Sequence, residues 1–486
     1  STEDNPPLIT VWQHSNFADL CRGPHVDQTS DLDPAALKLL NTAGAYWRGD
    51  EKRPMLTRIY GTIWNNQAEL EAFLWRRAEA ERRDHRRLGR ELELFHFEPT
   101  APGMPYWLPK GLKLLNTLID FWREEHESRG YQEIASPLLN DKQLWETSGH
   151  WDHYRDSMFL TPIDETTTYG LKPMNCPNAM VVYNLKVRSY RDLPLRFSDC
   201  DILHRNERSG TLHGLLRVQR FQQDDAHIFV TEEMIEEEYQ RIFDIADRFY
   251  RIFQLDYTLR LGTRPQKYIG DVETWNRAEG ALIRILDRHA GAGGYQIEPG
   301  DGAFYGPKID IIMRDVLGRS WQMGTIQLDF NLPRRFDCKY IRSDGKQETP
   351  VVIHRVIYGS LERFIGILIE HTAGAFPLWL APVQVSIIPV ADRHNQAAAE
   401  IQKQLQAQRI RSELQSENER LGAKVRAAQV AGIPYALVIG DREVKEGKVS
   451  VRARGGEQLG DMPLEEFIAK LKAAIEEKRF EVSALD

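Results

Sequence analysis

The chain has 486 residues, 42% of them hydrophobic and 28% charged, with a formal net charge of -8; it can bury several cores and reads as two to four domains, not a small binding module. That balance argues against wholesale attraction to nucleic acid and leaves such contact to local basic faces. Four scattered cysteines (Cys21, Cys176, Cys200 and Cys338) with no C-x-x-C pair argue against a disulfide framework or zinc ribbon, and no run reaches the ~20 apolar residues of a membrane span, so a soluble, cytoplasmic protein is expected.

Residues 1–65 mix short apolar runs with Gly and Pro (CRGPH, GAYWRGD, RIYGTIW), predicting strands and turns. From Asn66 to Leu94 the chain turns to helix formers without Pro, with opposite charges three or four apart, predicting one long connecting helix. Its Arg/His-rich middle is either a solvated face or a contact for a nucleic-acid backbone. Between Phe95 and Pro377, amphipathic runs such as GLKLLNTLIDFWREEHESRGY and EEMIEEEYQRIFDIADRFYRIF alternate with β-rich runs such as LRVQRFQQDDAHIF and YGPKIDIIMRD. This predicts an antiparallel sheet flanked by helices, an α+β domain. After Trp379 the order is strand VQVSIIPV, helix AAAEIQKQLQAQ, strand IRSELQS, helix LGAKVRAAQVAG, strand YALVIG and a terminal helix from Pro463. That rhythm predicts a separate α/β domain of doubly wound type.

Three metal-competent residues sit in strand-like or turn surroundings: Cys176 in LKPMNCPN, His227 in QQDDAHIF and His354 in PVVIHRVIYGS. Each taken alone is better read as a buried core residue, because ligands this far apart have no motif to test. In HRNERSGTLHGLLRVQRFQQDDAH, Arg205, Glu207, Arg217, Asp224 and Asp225 alternate with apolar residues over two strands and a loop. Arginines there can hold phosphate through a bidentate fork and the glutamate can accept from an amino group; a salt-bridged exposed sheet face is the alternative. GSLERFIGILIEH reads as a helix whose Arg363 shares a face in part with Phe364 and Ile367, a place that calls for an anionic partner.

The order of these blocks resembles class II aminoacyl-tRNA synthetases, with HRNERSG to FQQDDAHIF similar to the second signature motif and GSLERF to the third. DLCRGPH, AGAYWRGD, GHWDHY, KPMNCP, EGALI through GAFYGPKID, GTIQLDF and WLAPVQV together resemble the threonyl-tRNA synthetases over nearly the whole chain. The resemblance implies 1–65 as a remnant of an editing-like domain, 66–94 as a linker helix, 95–378 as the catalytic domain and 379–486 as an α/β anticodon-binding domain. It implies one Zn2+ held by Cys176, His227 and His354, with a coordination position open to threonine, and Mg2+ accompanying ATP. Asp225, Tyr305, Gln223 and Met174 would line the amino-acid pocket. ATP would be held by Arg205, Glu207, Arg217, Phe221, Gln322, Thr325, Ser360 and Arg363. Lys308, Gln327 and His150 match positions near the transfer of the aminoacyl group to tRNA, although His150 is equally well read as structural and Lys308 as a neutraliser of a carboxylate. Asn418, Glu443 and Arg452 match anticodon-contacting positions, with a solvated loop and strand edge as the alternative for each.

A homodimer is implied, with SPLLNDKQLWETSGH near the two-fold interface. The family's editing site joins an H-x-x-x-H pair to a later cysteine and histidine. Cys21 and His25 match the later half, but no H-x-x-x-H occurs in the sequence, so an incomplete site and dependence on a separate trans-editing protein are expected, with Cys21 and His25 left as structural residues. Two rivals remain: a synthetase-like RNA binder that no longer charges tRNA, expected to have lost an ATP arginine or a zinc ligand, and a synthetase for proline or serine.

Overall fold

The computed structural model describes residues 11–20, 25–47, 50, 52–315 and 317–481, and the chain divides into two units, Ser1–Glu81 and Arg82–Asp486. The first holds two antiparallel hairpins, β1 (Val11–His14) with β2 (Phe17–Leu20) and β3 (Leu37–Tyr46) with β4 (Met55–Ile63), followed by most of α1 (Gln67–Arg83). Cys21 lies outside the described residues; His25 stacks on Trp12 with ring centroids 3.6 Å apart.

The single helix expected over 66–94 is two. Asp84 leaves helical geometry (φ -50, ψ 118) and its carboxylate accepts the Arg86 N–H at 2.8 Å, so it starts a second helix, α2 (His85–Glu91). Charge spacing revealed the helical content of the run, but Asp84 also suits a cap, and that option won.

In the second unit, α3 (Pro109–Glu127) opens with proline in its first turn, where no intrahelical N–H is needed. It buries Leu114, Leu115, Leu118, Ile119, Phe121 and Trp122 at helical spacing. Then come the short strand β5 (Gln132–Glu133), helix α4 (Cys176–Asn184), strands β6 (Leu195–Asp199), β7 (Ile202–His204) and β8 (Arg220–Val230), and helix α5 (Ile235–Ile252). They are followed by β9 (Asp256–Gly262), α6 (Val272–Ala290), β10 (Gln296–Glu298), β11 (Lys308–Arg314), β12 (Ser320–Asp329), β13 (Val351–Ser360) and α7 (Leu361–Thr372).

The strands form one sheet in the order β10-β9-β11-β12-β13-β8-β6-β5, with β7 paired to β8. Every pairing is antiparallel except those of the two outermost strands. Its apolar face packs on α3, α5 and α7 in a core that includes Leu118, Phe121, Phe249, Ile285, Ile311, Ile326, Ile357 and Phe364. The opposite face is polar in its middle, and register explains why. Lys308 pairs with Gln327, Gln327 with His354, and His354 with His227. Two residues along, Asp310 pairs with Thr325, Thr325 with Val356, and Val356 with Asp225. Side chains two apart share a face, so these residues form two adjacent rows on one side of the sheet.

Beyond residue 380 the strands β14 (Val385–Pro389), β15 (Ser412–Leu414) and β16 (Tyr435–Ile439) are parallel and alternate with α8 (Asn395–Ala407) and α9 (Leu421–Val430). The doubly wound expectation stops there. After α10 (Asp441–Glu446), β17 (Lys448–Ala453) and β18 (Gln458–Pro463) add antiparallel strands before α11 (Leu464–Glu476), in the order β15-β14-β16-β17-β18. The two parallel strands covered on both faces, VSIIP and YALVI, are wholly buried; β17 alternates buried and half-buried residues.

Candidate active site

The polar rows floor a cavity of about 530 Å3. Cys176, His227 and His354 meet in it, all buried, with one ligand atom from each within 4.8 Å of the others. Cys176 stands not on a strand or turn, as its neighbours suggested, but as the first residue of α4, with Pro177 behind it in the opening turn. The histidines are strand neighbours with ring centroids 5.0 Å apart at 84°.

The surroundings of this trio fit a cation. His354 Nε2 lies 2.9 Å from Asp329 Oδ2, so the carboxylate takes that N–H and leaves Nδ1 free. Asp329 is itself fixed by the Asn331 and Leu332 N–H groups at 2.7 and 3.0 Å. His227 Nδ1 is buried with no hydrogen-bond partner. Burial, with His354 and Arg355 adding, holds the His227 pKa well below its ordinary value, so the ring is the neutral species that ligates metals. Burial, with Asp225 and Asp329 adding, pushes the Cys176 thiol up, a cost that a bound divalent ion reverses by stabilising the thiolate.

Asp225 faces the same space; burial raises its pKa to about 6, partly offset by His354 and by the Asn175 amide, which donates to Oδ2 at 3.2 Å. Tyr305 donates to Gln327 Oε1. Lys308 lies 3.1 Å from both Asp301 and Asp310, and Asp310 also accepts from Gln322 at 2.7 Å and Thr325 at 3.1 Å. Lys308 therefore neutralises carboxylates of the protein itself.

Farther along, Arg205 donates from Nε to the Pro173 carbonyl at 3.1 Å and lies over the Phe221 ring, 5.0 Å from its centroid. Arg363 donates from Nε to the Leu216 carbonyl and from Nη1 to the Gln322 carbonyl, each at 3.0 Å. Ser360 caps α7 by accepting the Arg363 N–H at 3.3 Å. Among the described residues neither arginine has a carboxylate within ion-pair distance, whereas Arg217 pairs with Glu207 at 2.8 Å. Cationic groups anchored on carbonyls and facing a cavity form a seat for an anion.

Of the candidate residues, Met174, Cys176, Arg205, Glu207, Arg217, Phe221, Gln223, Asp225, His227, Tyr305, Lys308, Gln322, Thr325, Gln327, His354, Ser360 and Arg363 all line this one cavity. His150 does not. It is fully buried behind the pocket, with Nδ1 2.8 Å from Ser148 Oγ and Nε2 3.2 Å from Met174 Sδ, and burial lowers its pKa to about 3. In the C-terminal part, Asn418 is exposed, the Glu443 carboxylate accepts the Gly440 N–H at 2.9 Å, and Arg452 is half-buried on β17 with Nε unpartnered. Sequence reasoning missed Asp329 and Asn175, which hold His354 and Asp225, and Arg355, buried beneath them. Asp329 lies in a block already notable, GTIQLDF, but only its distance to His354 shows its role.

Comparison with known proteins gives this arrangement its family. Residues 159–372 match the class II core domain of tRNA synthetases for G, H, P, S and T, residues 384–474 the anticodon binding domain, and residues 9–60 the second additional domain of threonyl and alanyl tRNA synthetases. The fold is that of a class II aminoacyl-tRNA synthetase. A threonine–tRNA ligase of Caldanaerobacter subterraneus is 50% identical over 97% of this chain and 72% of its own length, and one of Clostridium novyi is 51% identical over 98% and 74%. The chain therefore belongs to the threonine–tRNA ligase family, enzymes that join threonine to tRNA. A solved structure described as the RNA binding domain of threonyl-tRNA synthetase from Cryptosporidium parvum superposes with a TM-score of 0.79 at 40% identity, over 83% of this chain and all of that one. Prolyl-tRNA synthetase from the same organism, at 17% identity and a TM-score of 0.61 over 81% and 75%, shares the fold. No described helix is long and apolar enough to cross a membrane.

Proposed function

We propose that this cavity selects threonine with a zinc ion and activates it with ATP, and that the convergence of Cys176, His227 and His354 beside Arg205 and Arg363 carries the reading. Cys176, His227 and His354 would hold the zinc, which would act as a Lewis acid toward the amino group and side-chain hydroxyl of threonine. Asp225 accepts a hydrogen bond from the hydroxyl, and Tyr305, Gln223 and Met174 complete the pocket. Valine matches threonine in shape but leaves these polar groups unanswered, and a site built around a hydroxyl rejects such an analogue by about 10⁴–10⁵-fold.

Arg205 receives the α-phosphate and Arg363 the γ-phosphate, while Phe221 stacks on the adenine and Glu207 accepts from its amino group. Arg217 orients Glu207, Ser360 holds the start of α7, and Gln322 and Thr325 face the ribose. Mg2+ accompanies the phosphates. The threonine carboxylate attacks the α-phosphorus and pyrophosphate leaves, so the protein contributes position and charge and needs no nucleophile of its own. Gln327 and Lys308 lie toward the transfer step, with His150 acting from behind the pocket wall. Asn418, Glu443 and Arg452 meet the anticodon. Residues 1–65, 66–94, 95–378 and 379–486 serve as editing-like, linker, catalytic and anticodon-binding parts of a cytoplasmic homodimer.

Serine keeps the hydroxyl and lacks only a methyl group, a difference of about 1–3 kcal/mol in a pocket. With no H-x-x-x-H in the sequence, a polypeptide of this sequence is expected to charge tRNA with serine and to leave preformed seryl-tRNA at its spontaneous hydrolysis rate. The deciding experiment for the main reading pairs metal analysis with pyrophosphate exchange on threonine, valine, serine and proline. One zinc per chain and exchange with threonine and serine but not valine are expected; exchange with threonine undiminished after complete metal removal would sink the proposal.

A further inference from the structure

His85 opens α2 in the Arg/His-rich run whose purpose the sequence left open, and it is fully buried. Its Nδ1 lies 2.7 Å from Glu370 Oε1 on α7, and its Nε2 accepts the Leu215 N–H at 3.1 Å. A carboxylate accepts and a backbone N–H donates, so the ring is the neutral tautomer with its proton on Nδ1. Asp84, His85 and Glu370 lie close enough to suggest a second metal site, but both nitrogens of the ring are already engaged and the Asp84 carboxylate binds Arg86.

The Leu215 N–H belongs to a single 3-10 turn, Gly214–Leu216, in the loop joining β7 to β8. The carbonyl of the next residue, Leu216, accepts from Arg363 Nε, and Arg217 follows at once with its bond to Glu207. A continuous path therefore runs Glu370, His85, Leu215, Leu216, Arg363. The fit is close on two sides. A Cβ on Gly214, which has φ +49, would fall 2.2 Å from His85 Nε2, and one on Gly366 would fall 3.2 Å from both Leu215 Cβ and Leu216 Cδ2.

We propose that His85 is a positioning residue for nucleotide binding: by taking the Leu215 N–H it holds the 214–216 turn where the Leu216 carbonyl aims the Arg363 guanidinium into the cavity. The inference rests on the assignment of Arg363 to ATP. Without an acceptor at the Nε2 position a buried N–H is left unsatisfied, the turn shifts toward another partner, and Arg363 loses one of its two carbonyl anchors.

Two substitutions separate this role from bulk stability. In His85→Asn the shorter amide can occupy the place of Nδ1 and keep Glu370 but cannot reach Leu215, whereas in His85→Gln the longer side chain reaches the Nε2 position and keeps the acceptor. In threonine-dependent pyrophosphate exchange by the full chain, His85→Asn should raise the KM for ATP by about tenfold or more, with the KM for threonine little changed, and His85→Gln should restore most of the loss. Hydrogen exchange of residues 213–217 should quicken in His85→Asn and not in His85→Gln. Gly214→Ala, whose added Cβ would crowd Nε2 itself, should repeat the His85→Asn pattern and serves if that variant folds poorly. Equal effects of the two His85 substitutions, or parallel changes in the KM for ATP and threonine, would overturn the proposal. Arg363→Ala is the control: an unchanged KM for ATP there would refute the ATP assignment instead.

Discussion

Asp329 is wholly buried, and one of its oxygens holds two backbone N–H groups while the other holds His354. Such an outer partner fixes the tautomer and direction of a ligating imidazole, and its loss commonly costs about 10–100-fold in metal affinity. Asp329→Asn should weaken zinc binding by that order in a chelator competition while leaving the fold in place. Glu362, also fully buried, accepts the Gln222 N–H at 2.9 Å, and burial raises its pKa from 4.5 to about 7. Between those values the folded protein keeps a proton that the unfolded chain has released. The stability this group contributes is therefore whole below about pH 4.5 and lost as pH rises through about 7. The difference in unfolding free energy between wild type and Glu362→Gln should accordingly move against the wild type from pH 5 to pH 8; a difference independent of pH would contradict it.

At the scale of elements, β13 does two jobs. Its middle presents His354 to His227, and its end swings into α7 so that Ser360 and Arg363 face the cavity. The change of direction is made at Gly359, with φ +77, where a Cβ would fall 2.4 Å from the Met323 carbonyl oxygen. Asp224 secures the same bend, its carboxylate accepting the N–H groups of Ile357, Tyr358 and Gly359 at 2.9–3.1 Å. Gly359→Ala should cost about 1–3 kcal/mol in backbone strain alone and raise the KM for ATP more than that for threonine, as read in pyrophosphate exchange.

Much of this was legible in the sequence. Alternation exposed β8, helical spacing exposed α3 and α5, and the block order brought the donor trio and the arginines together before any distance was known. What stayed hidden depends on cross-strand register and on side-chain partners: the rows from Lys308 to His227, the Asp329 support, the withdrawal of His150 behind Met174. The cap at Asp84 and the strands β17 and β18 were missed because a cap within a charged run and two short half-exposed strands leave faint local patterns.

At the scale of the whole molecule, the chemistry of activation and the reading of tRNA draw on different cores. The catalytic sheet packs on α3, α5 and α7, while β14–β18 pack among themselves with α8 and α11. Exposed Asn418 and half-buried Arg452 belong to the latter. Paired substitutions Asn418→Ala and Arg452→Ala should thus reduce tRNA charging while leaving pyrophosphate exchange with threonine within about twofold of wild type, because distant sites combine nearly independently. Exchange falling in step with charging would show the two regions to be one functional unit.

The two histidines of the cysteine–histidine trio are set opposite each other by a backbone ladder. On the proposed zinc reading, a starved enzyme of this build should then keep its shape, lying dormant instead of falling apart, and return to work when metal is resupplied without passing through refolding. Scarcity would idle the existing stock of synthetase molecules, and recovery would be as fast as the ion can enter.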